Sequence, residues 1–206
     1  MTGRIFIDLF TTLDGVAQAP GGREEDPSHG FAYGGWQAPF PDETIGKSVW
    51  QGISELDALL LGRRTYDIFA AYWPRHAGSD SKIADVFNEV PKYVASRGTP
   101  ALDWAGTTQL GPDTAAEVAA LRERHEHIHV IGSVDFVQTL LKEKLFDVLT
   151  LWVHPVVLGQ GKKVFPDGAD PANYRLLEPA VVGALGVVQL RYAPAAGLPE
   201  TGDVGD

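Results

Sequence analysis

Apolar and polar residues alternate from Arg4 to Thr11, with Ile5, Ile7 and Leu9 on one side of an extended segment, so a strand is predicted there. Ala58–Leu61 and Ile128–Ile131 are short and almost wholly apolar, the pattern of strands covered on both faces. Ile45, Val49, Ile53 and Leu56 recur at helical spacing and predict a helix over Asp42–Leu56. Ile83, Val86, Phe87 and Val90 do the same for Ser81–Val90. Ser133 can cap a helix that buries Phe136, Val137, Leu140 and Leu141. A short helix is expected over Tyr66–Trp73, ended by Pro74. Thr114 and Glu117 have the spacing of a capping box opening a helix to about Arg124. Further strands are expected at Lys92–Ser96, Thr107–Leu110, Val148–Leu158, Arg175–Val182 and Val187–Tyr192.

Strands alternate with helices over most of the chain. This predicts a single α/β domain over residues 1–193, with a mostly parallel mixed sheet and helices on both faces. The closing strands have no helix between them and should be antiparallel. The stretch Asp14–Pro41 is rich in glycine and proline and long for a connection, so it reads as a functional lid or a disordered insertion. The tail from Pro194 is polar and Pro/Gly-rich and is expected to be disordered.

A net charge of −10 argues against a general nucleic-acid binder, yet leaves room for a local basic cluster that takes a small phosphate ligand. The absence of cysteine removes disulfides, thiolate zinc sites and a thiol nucleophile. No apolar run reaches the ~20 residues of a membrane span. The N-terminus is too interrupted for a secretory leader, so a cytoplasmic protein is expected.

Two strand ends carry candidate chemistry. Leu59-Leu60-Leu61-Gly62-Arg63-Arg64-Thr65 and His129-Val130-Ile131-Gly132-Ser133 each pass from a buried strand through glycine into a helix start. Such a junction leaves backbone N–H groups unpaired at the positive end of the helix dipole, and glycine lets an anion come close. Arg63, Arg64 and Thr65 add fork-shaped donors and a hydroxyl suited to phosphate oxygens. Two such junctions point to a ligand with more than one phosphate, such as a dinucleotide. Asp8 lies inside an apolar strand, where a carboxylate is costly unless it is paired or used. It either faces the ligand crevice, where it could hydrogen-bond a heterocycle or supply a proton, or it faces solvent or pairs with a nearby arginine. His125, His127 and His129 would share one face of a strand, but no carboxylate at ligand spacing completes a metal set, and none is expected. His154, before Pro155, reads as structural.

The ordered set Thr12-Leu13-Asp14-Gly15, Leu61-Gly62-Arg63-Arg64-Thr65-Tyr66, Ile131-Gly132-Ser133 and His154-Pro155-Val156-Val157-Leu158-Gly159-Gln160-Gly161 through Phe165-Pro166 resembles the dihydrofolate-reductase-like superfamily. It looks closest to the reductase domain of riboflavin biosynthesis, the C-terminal half of bifunctional deaminase-reductases, and to its stand-alone relatives. The resemblance implies that Gly62, Arg63, Arg64 and Thr65 hold cofactor phosphates and that Gly132 and Ser133 hold the pyrophosphate. It implies that Ser96 and Arg97 lie near the adenosine 2′-phosphate, favouring NADPH, and that Asp14 borders the nicotinamide. Trp36 and Phe40 would close over a flat substrate ring, or else pack the loop onto the core. Asp42 and Glu43 are the nearest, though both out of register, to the helix carboxylate that binds the pterin in dihydrofolate reductases, and both could simply be N-terminal helix charges that favour the dipole. The implied activity is NADPH-dependent reduction of a small heterocycle like a phosphoribosylaminouracil or a dihydropterin. The alternative is a non-catalytic nucleotide- or drug-binding protein of the same fold. The strand Val148–Leu158 and the loop after it resemble segments through which relatives form homodimers.

Overall fold

The alternation at the N-terminus becomes two unlike sides of one strand. In the computed structural model, which describes residues 2–204, β1 (Arg4–Thr12) buries Ile5, Ile7 and Leu9 on one side and turns Phe6, Asp8 and Phe10 to the other. The remaining strands are β2 (Ala58–Gly62), β3 (Lys92–Ala95), β4 (Thr107–Gln109), β5 (His127–Val130), β6 (Val148–His154), β7 (Asn173–Leu176), β8 (Val181–Val182) and β9 (Val188–Ala195). They form one sheet in the order β4-β3-β2-β5-β1-β6-β9-β7, with β8 also paired to β9. Pairing is parallel from β4 to β6 and antiparallel around β9.

Five helices cover the sheet: α1 (Glu43–Glu55), α2 (Arg63–Tyr72), α3 (Lys82–Glu89), α4 (Thr114–Leu121) and α5 (Val134–Lys142). Helices α4 and α5 bury Val118, Leu121, Val137 and Leu140 against Ile5, Ile7 and Leu9. On the opposite face, Ile53, Tyr66 and Phe87 of α1, α2 and α3 pack on Leu59, Leu61 and Val94. No helix of the described residues is long and apolar enough to cross a membrane.

Several boundaries differ from the sequence reading. Helix α2 begins at Arg63, directly after Gly62, so the glycine junction has no spacer. Helix α4 is capped by Asp113, whose Oδ1 accepts from Ala116 N at 3.1 Å, and not by Thr114; the helix ends at Leu121. Strand β6 stops at His154 because Pro155 has no N–H for the ladder. The strand expected over Arg175–Val182 is two short ones, since the chain turns away from β9 after Leu177 N bonds Arg191 O at 2.8 Å. Strand β9 continues to Ala195, where Pro194 pairs with Tyr174. The glycine-rich stretch is docked on the molecule: Val16, Ala19, Phe31 and Trp36 form a buried cluster of their own.

Candidate functional site

The two glycine junctions abut each other. Strands β2 and β5 are parallel neighbours, so their C-terminal ends and the helices that follow emerge side by side. Gly62 N donates to Gly132 O at 2.9 Å. A Cβ on Gly62 would collide with Ser133 Oγ and lie 2.8 Å from Phe136 Cβ. Gly132 has φ +136, and a Cβ there would lie 2.5 Å from Thr65 Oγ1. Both positions therefore require glycine for close approach of the two turns. Gly62 and Ser133 stand at the N-caps of α2 and α5, and neither helix receives a side-chain cap. The first-turn amides of both helices are left for an outside acceptor.

These ends open into a cleft of about 1540 Å³, lined in part by Gly62, Arg63, Arg64, Ser96, Arg97 and Ser133. Ala95 is the partner of Gly62 in the β2–β3 register, which brings Ser96 and Arg97 to the same rim. Thr65 packs beneath Gly132 and does not line the cleft. Two of the cations there, Arg63 and Arg64, are already held. Arg63 Nε donates to both oxygens of Asp67 at 2.8 Å, and Arg64 donates to Asp26 Oδ1 at 2.6 Å. Each arginine side chain is still 44% and 47% exposed, respectively, so the outer edges of both forks face solvent. Asp26 also accepts from Lys162 Nζ at 3.0 Å. Burial works against the charge of Asp26, but hydrogen bonds from Ser28 and Lys162 outweigh it and hold the carboxyl below its usual range. Glu25 lines the cleft as well, and burial pushes its carboxyl upward.

Asp8 lies elsewhere, on the sheet face beneath α1. Its Oδ2 accepts from His129 Nδ1 at 2.6 Å, across the Phe6↔His129 register of β1 and β5. The His129 ring stacks on Phe6 with centroids 4.7 Å apart. The two residues open into a second cavity of about 170 Å³, shared with Thr150 and Trp152 of β6 and Gln189 and Arg191 of β9. Sequence reasoning singled out Asp8 but not these partners. Only the alternation of His125, His127 and His129 hinted at His129, and it pointed to the wrong grouping. His125 bonds the Tyr93 hydroxyl at 2.8 Å and His127 Nδ1 bonds Glu55 O at 3.0 Å, so each of the three has its own partner.

Four expected site residues have other duties. Asp14 accepts from Thr12 Oγ1 at 2.6 Å, Gly159 N at 2.8 Å and Leu158 N at 3.2 Å. Burial raises its carboxyl, but these bonds prevail and keep it below the usual range, so Asp14 clasps the turn after β1 to the loop after β6. Trp36 is buried, donates Nε1–H to Gln18 O at 2.8 Å, and meets His154 edge-on. Phe40 also meets the buried His154 edge-on, so both rings pack the loop onto the core. Glu43 is exposed and pairs with Lys47 one turn on, at 2.6 Å. It lines neither cavity.

The fold and the chain have relatives. The chain is 26% identical over 196 residues to the uncharacterized protein YyaP of Bacillus subtilis, covering 92% of this chain and 94% of that one. The structure superposes with TM-score 0.71 on a Shewanella sp. PV-4 protein provisionally assigned to riboflavin biosynthesis, at 17% identity, over 94% of this chain and 99% of that one. It superposes with TM-score 0.58 on dihydrofolate reductase from Enterococcus faecalis complexed with NADP(H) and RAB-propyl, at 15% identity, over 95% of this chain and 99% of that one. The fold is thus dihydrofolate-reductase-like. The RibD C-terminal domain family matches residues 4–185, and the chain belongs to that family.

Proposed function

We propose that the protein is a reductase that uses NADPH to reduce a small heterocyclic substrate. The observation that carries this reading is the abutment of Gly62 and Gly132 beside one cleft, which Gly62 and Ser133 line. There two uncapped helix starts and the half-exposed Arg63 and Arg64 can hold a pyrophosphate. Ser96 and Arg97, on the same rim, would take the 2′-phosphate. When bound, NADPH supplies the hydride, and the protein supplies position and dryness. The solved relative complexed with NADP(H) supports the choice of cofactor.

The substrate would lie against Asp8. His129 and Gly132 stand three positions apart on one nearly extended segment, so the Asp8–His129 pair lies on the order of 10 Å from the glycine turn beside the cleft. His129 Nδ1 holds Asp8 Oδ2 in place, while Oδ1 has no hydrogen-bond partner among the described residues. That oxygen can hold the proton that balances hydride transfer. Fluorescence titration should show NADPH binding at least tenfold tighter than NADH, and turnover should follow on a panel of dihydropterins and aminouracils. Tight NADPH binding with no turnover of any of them would favour a non-catalytic binding protein, a reading to which the outward placement of Glu43 lends weight. Absence of NADPH binding would overturn both.

A further inference from the structure

The two arginines at the start of α2 are held in unlike ways. Arg63 reaches Asp67, one turn on along its own helix, and the Asp67 side chain is 48% exposed. Such a pair is screened by solvent and fixes neither partner to the rest of the molecule. Arg64 reaches 38 positions back, to Asp26 in the docked glycine-rich stretch, and the Asp26 side chain is 8% exposed. Asp26 is itself fixed. Its Oδ1 also accepts from Ser28 N at 3.1 Å, and its Oδ2 accepts from Lys162 Nζ at 3.0 Å. Its backbone oxygen accepts from Gln18 Nε2 at 2.9 Å, and Gln18 Oε1 in turn accepts from Lys162 N at 3.0 Å. Arg64 lines the cleft and Asp26 does not, so the carboxylate stands behind the guanidinium as seen from the cleft. Glu25, the neighbouring carboxylate that does line the cleft, is turned to its own loop, where Oε2 accepts from Gly21 N at 2.6 Å and Gly22 N at 3.0 Å.

A guanidinium is a planar fork with five N–H donors, so one edge can be bound while another is offered. A free arginine side chain loses rotamer freedom when it grips a ligand, and one already fixed from behind has lost it beforehand. The negative charge of Asp26 works against an anion, but Lys162 offsets it, and the group of Asp26, Arg64 and Lys162 stays net positive. We propose that Asp26 is a positioning residue of the cleft: it holds the Arg64 fork from behind, so that the outer edge is set for a pyrophosphate oxygen before the ligand arrives. This assignment rests on the reductase reading above and deepens it, because it gives the docked loop a part in cofactor affinity. Arg63, tied to its own helix, contributes charge without that setting.

The test matches two substitutions that make the same change of charge, Asp26→Ala and Asp67→Ala. Removal of a carboxylate near the cleft should, by charge alone, tighten the binding of an anion. NADPH is titrated by fluorescence and inorganic pyrophosphate by calorimetry. Asp26→Ala should weaken both at least fivefold, against the sense of the charge change, whereas Asp67→Ala should weaken neither. In an Arg64→Ala background, Asp26→Ala should cost less than a further twofold, since the fork it sets is gone. An equal loss in both backgrounds would mean that Asp26 serves the loop's fold alone, and would overturn the proposal. Unchanged or tighter binding in Asp26→Ala would overturn it as well, as would an equal loss in Asp67→Ala.

Should Asp26→Ala fail to fold, hydrogen exchange in the parent and in Arg64→Ala decides. Linkage is reciprocal, so saturating NADPH, or pyrophosphate where NADPH does not bind, should slow exchange of the amides in residues 18–31 at least threefold in the parent and not in Arg64→Ala. Slowing in both proteins, or in neither, would overturn the proposal. A parent that binds pyrophosphate but not NADPH defeats the reductase reading and leaves Asp26 to be judged on pyrophosphate. A parent that binds neither defeats both.

Discussion

The two faces of the central sheet are built from the same strands and differ in kind. On the face covered by α4 and α5, β1 presents Ile5, Ile7 and Leu9 to Val118, Leu121, Val137 and Leu140 in a continuous apolar layer. On the face covered by α1, α2 and α3, the same strand presents Phe6, Asp8 and Phe10, and its neighbours contribute His129 and Thr150. Lys92 on β3 shares this second face, being one residue from Tyr93, which faces the first, and two from Val94, which faces the second. One face is packing, and the other carries Asp8, His129, Thr150 and Lys92. A period-2 strand lets a single segment serve both purposes, provided each polar residue on the wet face finds a partner.

The largest effect that would sharpen this contrast is Ile7→Ala. Ile7 is fully buried on the packing face, and the change should cost roughly 2–5 kcal/mol, read from urea unfolding. Asp8→Asn, one residue along, should cost under about 1 kcal/mol, since the amide keeps size and an acceptor for His129. Equal losses at the two positions would erase the distinction between the faces. Gly62→Ala comes next. Its Cβ would lie 2.8 Å from both Phe136 Cβ and Ser133 N, a backbone clash that cannot be relieved by a rotamer change. A destabilisation of roughly 1–3 kcal/mol is expected, with loss of NADPH binding. If the variant binds NADPH as the parent does, the junction is not the anchor.

Below that stand Arg63→Ala and Arg64→Ala. Each should weaken NADPH about tenfold, or ~1.4 kcal/mol, by fluorescence titration, while sparing ligands of the Asp8 cavity. The two should differ in stability: Arg64 ties the docked loop through Asp26, which is 8% exposed, whereas Arg63 reaches only Asp67 on its own helix. The Arg64 variant should therefore have the lower thermal midpoint.

The packing face and the cleft were legible because their signals are local. Ile5, Ile7 and Leu9 are read by alternation, and Gly62 and Gly132 mark strand-to-helix turns within a few residues of sequence. The Asp8 cavity was not, because its walls come from β1, β5, β6, β9 and α1, and only register brings them together. The pairing of Asp8 with His129 spans 121 positions, which no spacing rule reveals. Trp36 and Phe40 left two readings open, a lid or loop packing, for the opposite reason. Aromatic residues in a glycine-rich stretch look like a lid, yet their rings are spent against His154. Thr114 misled because Asp113, one residue earlier, is the better acceptor for the α4 amides.

Lys92 gives the smallest and most diagnostic effect. Its side chain is fully buried on the second face and donates to Asn88 O at 2.8 Å and Ala105 O at 3.1 Å, with the ammonium 4.6 Å from the centre of the Trp104 ring. Burial lowers its pKa from 10.5 to about 8. The sign follows from proton counting. Between about 8 and 10.5 the unfolded chain holds the proton and the folded chain has released it, so stability must rise with pH across that window. From pH 8 to pH 9 the gain should be about 1 kcal/mol, read as a higher denaturant midpoint. Lys92→Met should flatten this rise without touching NADPH affinity. A parent protein whose stability is flat or falling from pH 8 to pH 9 would mean that the lysine keeps its charge cheaply. The second face would then tolerate a buried cation through two carbonyls and an indole, and the pairing of Asp8 with His129 would no longer be the rule by which that face admits polar groups.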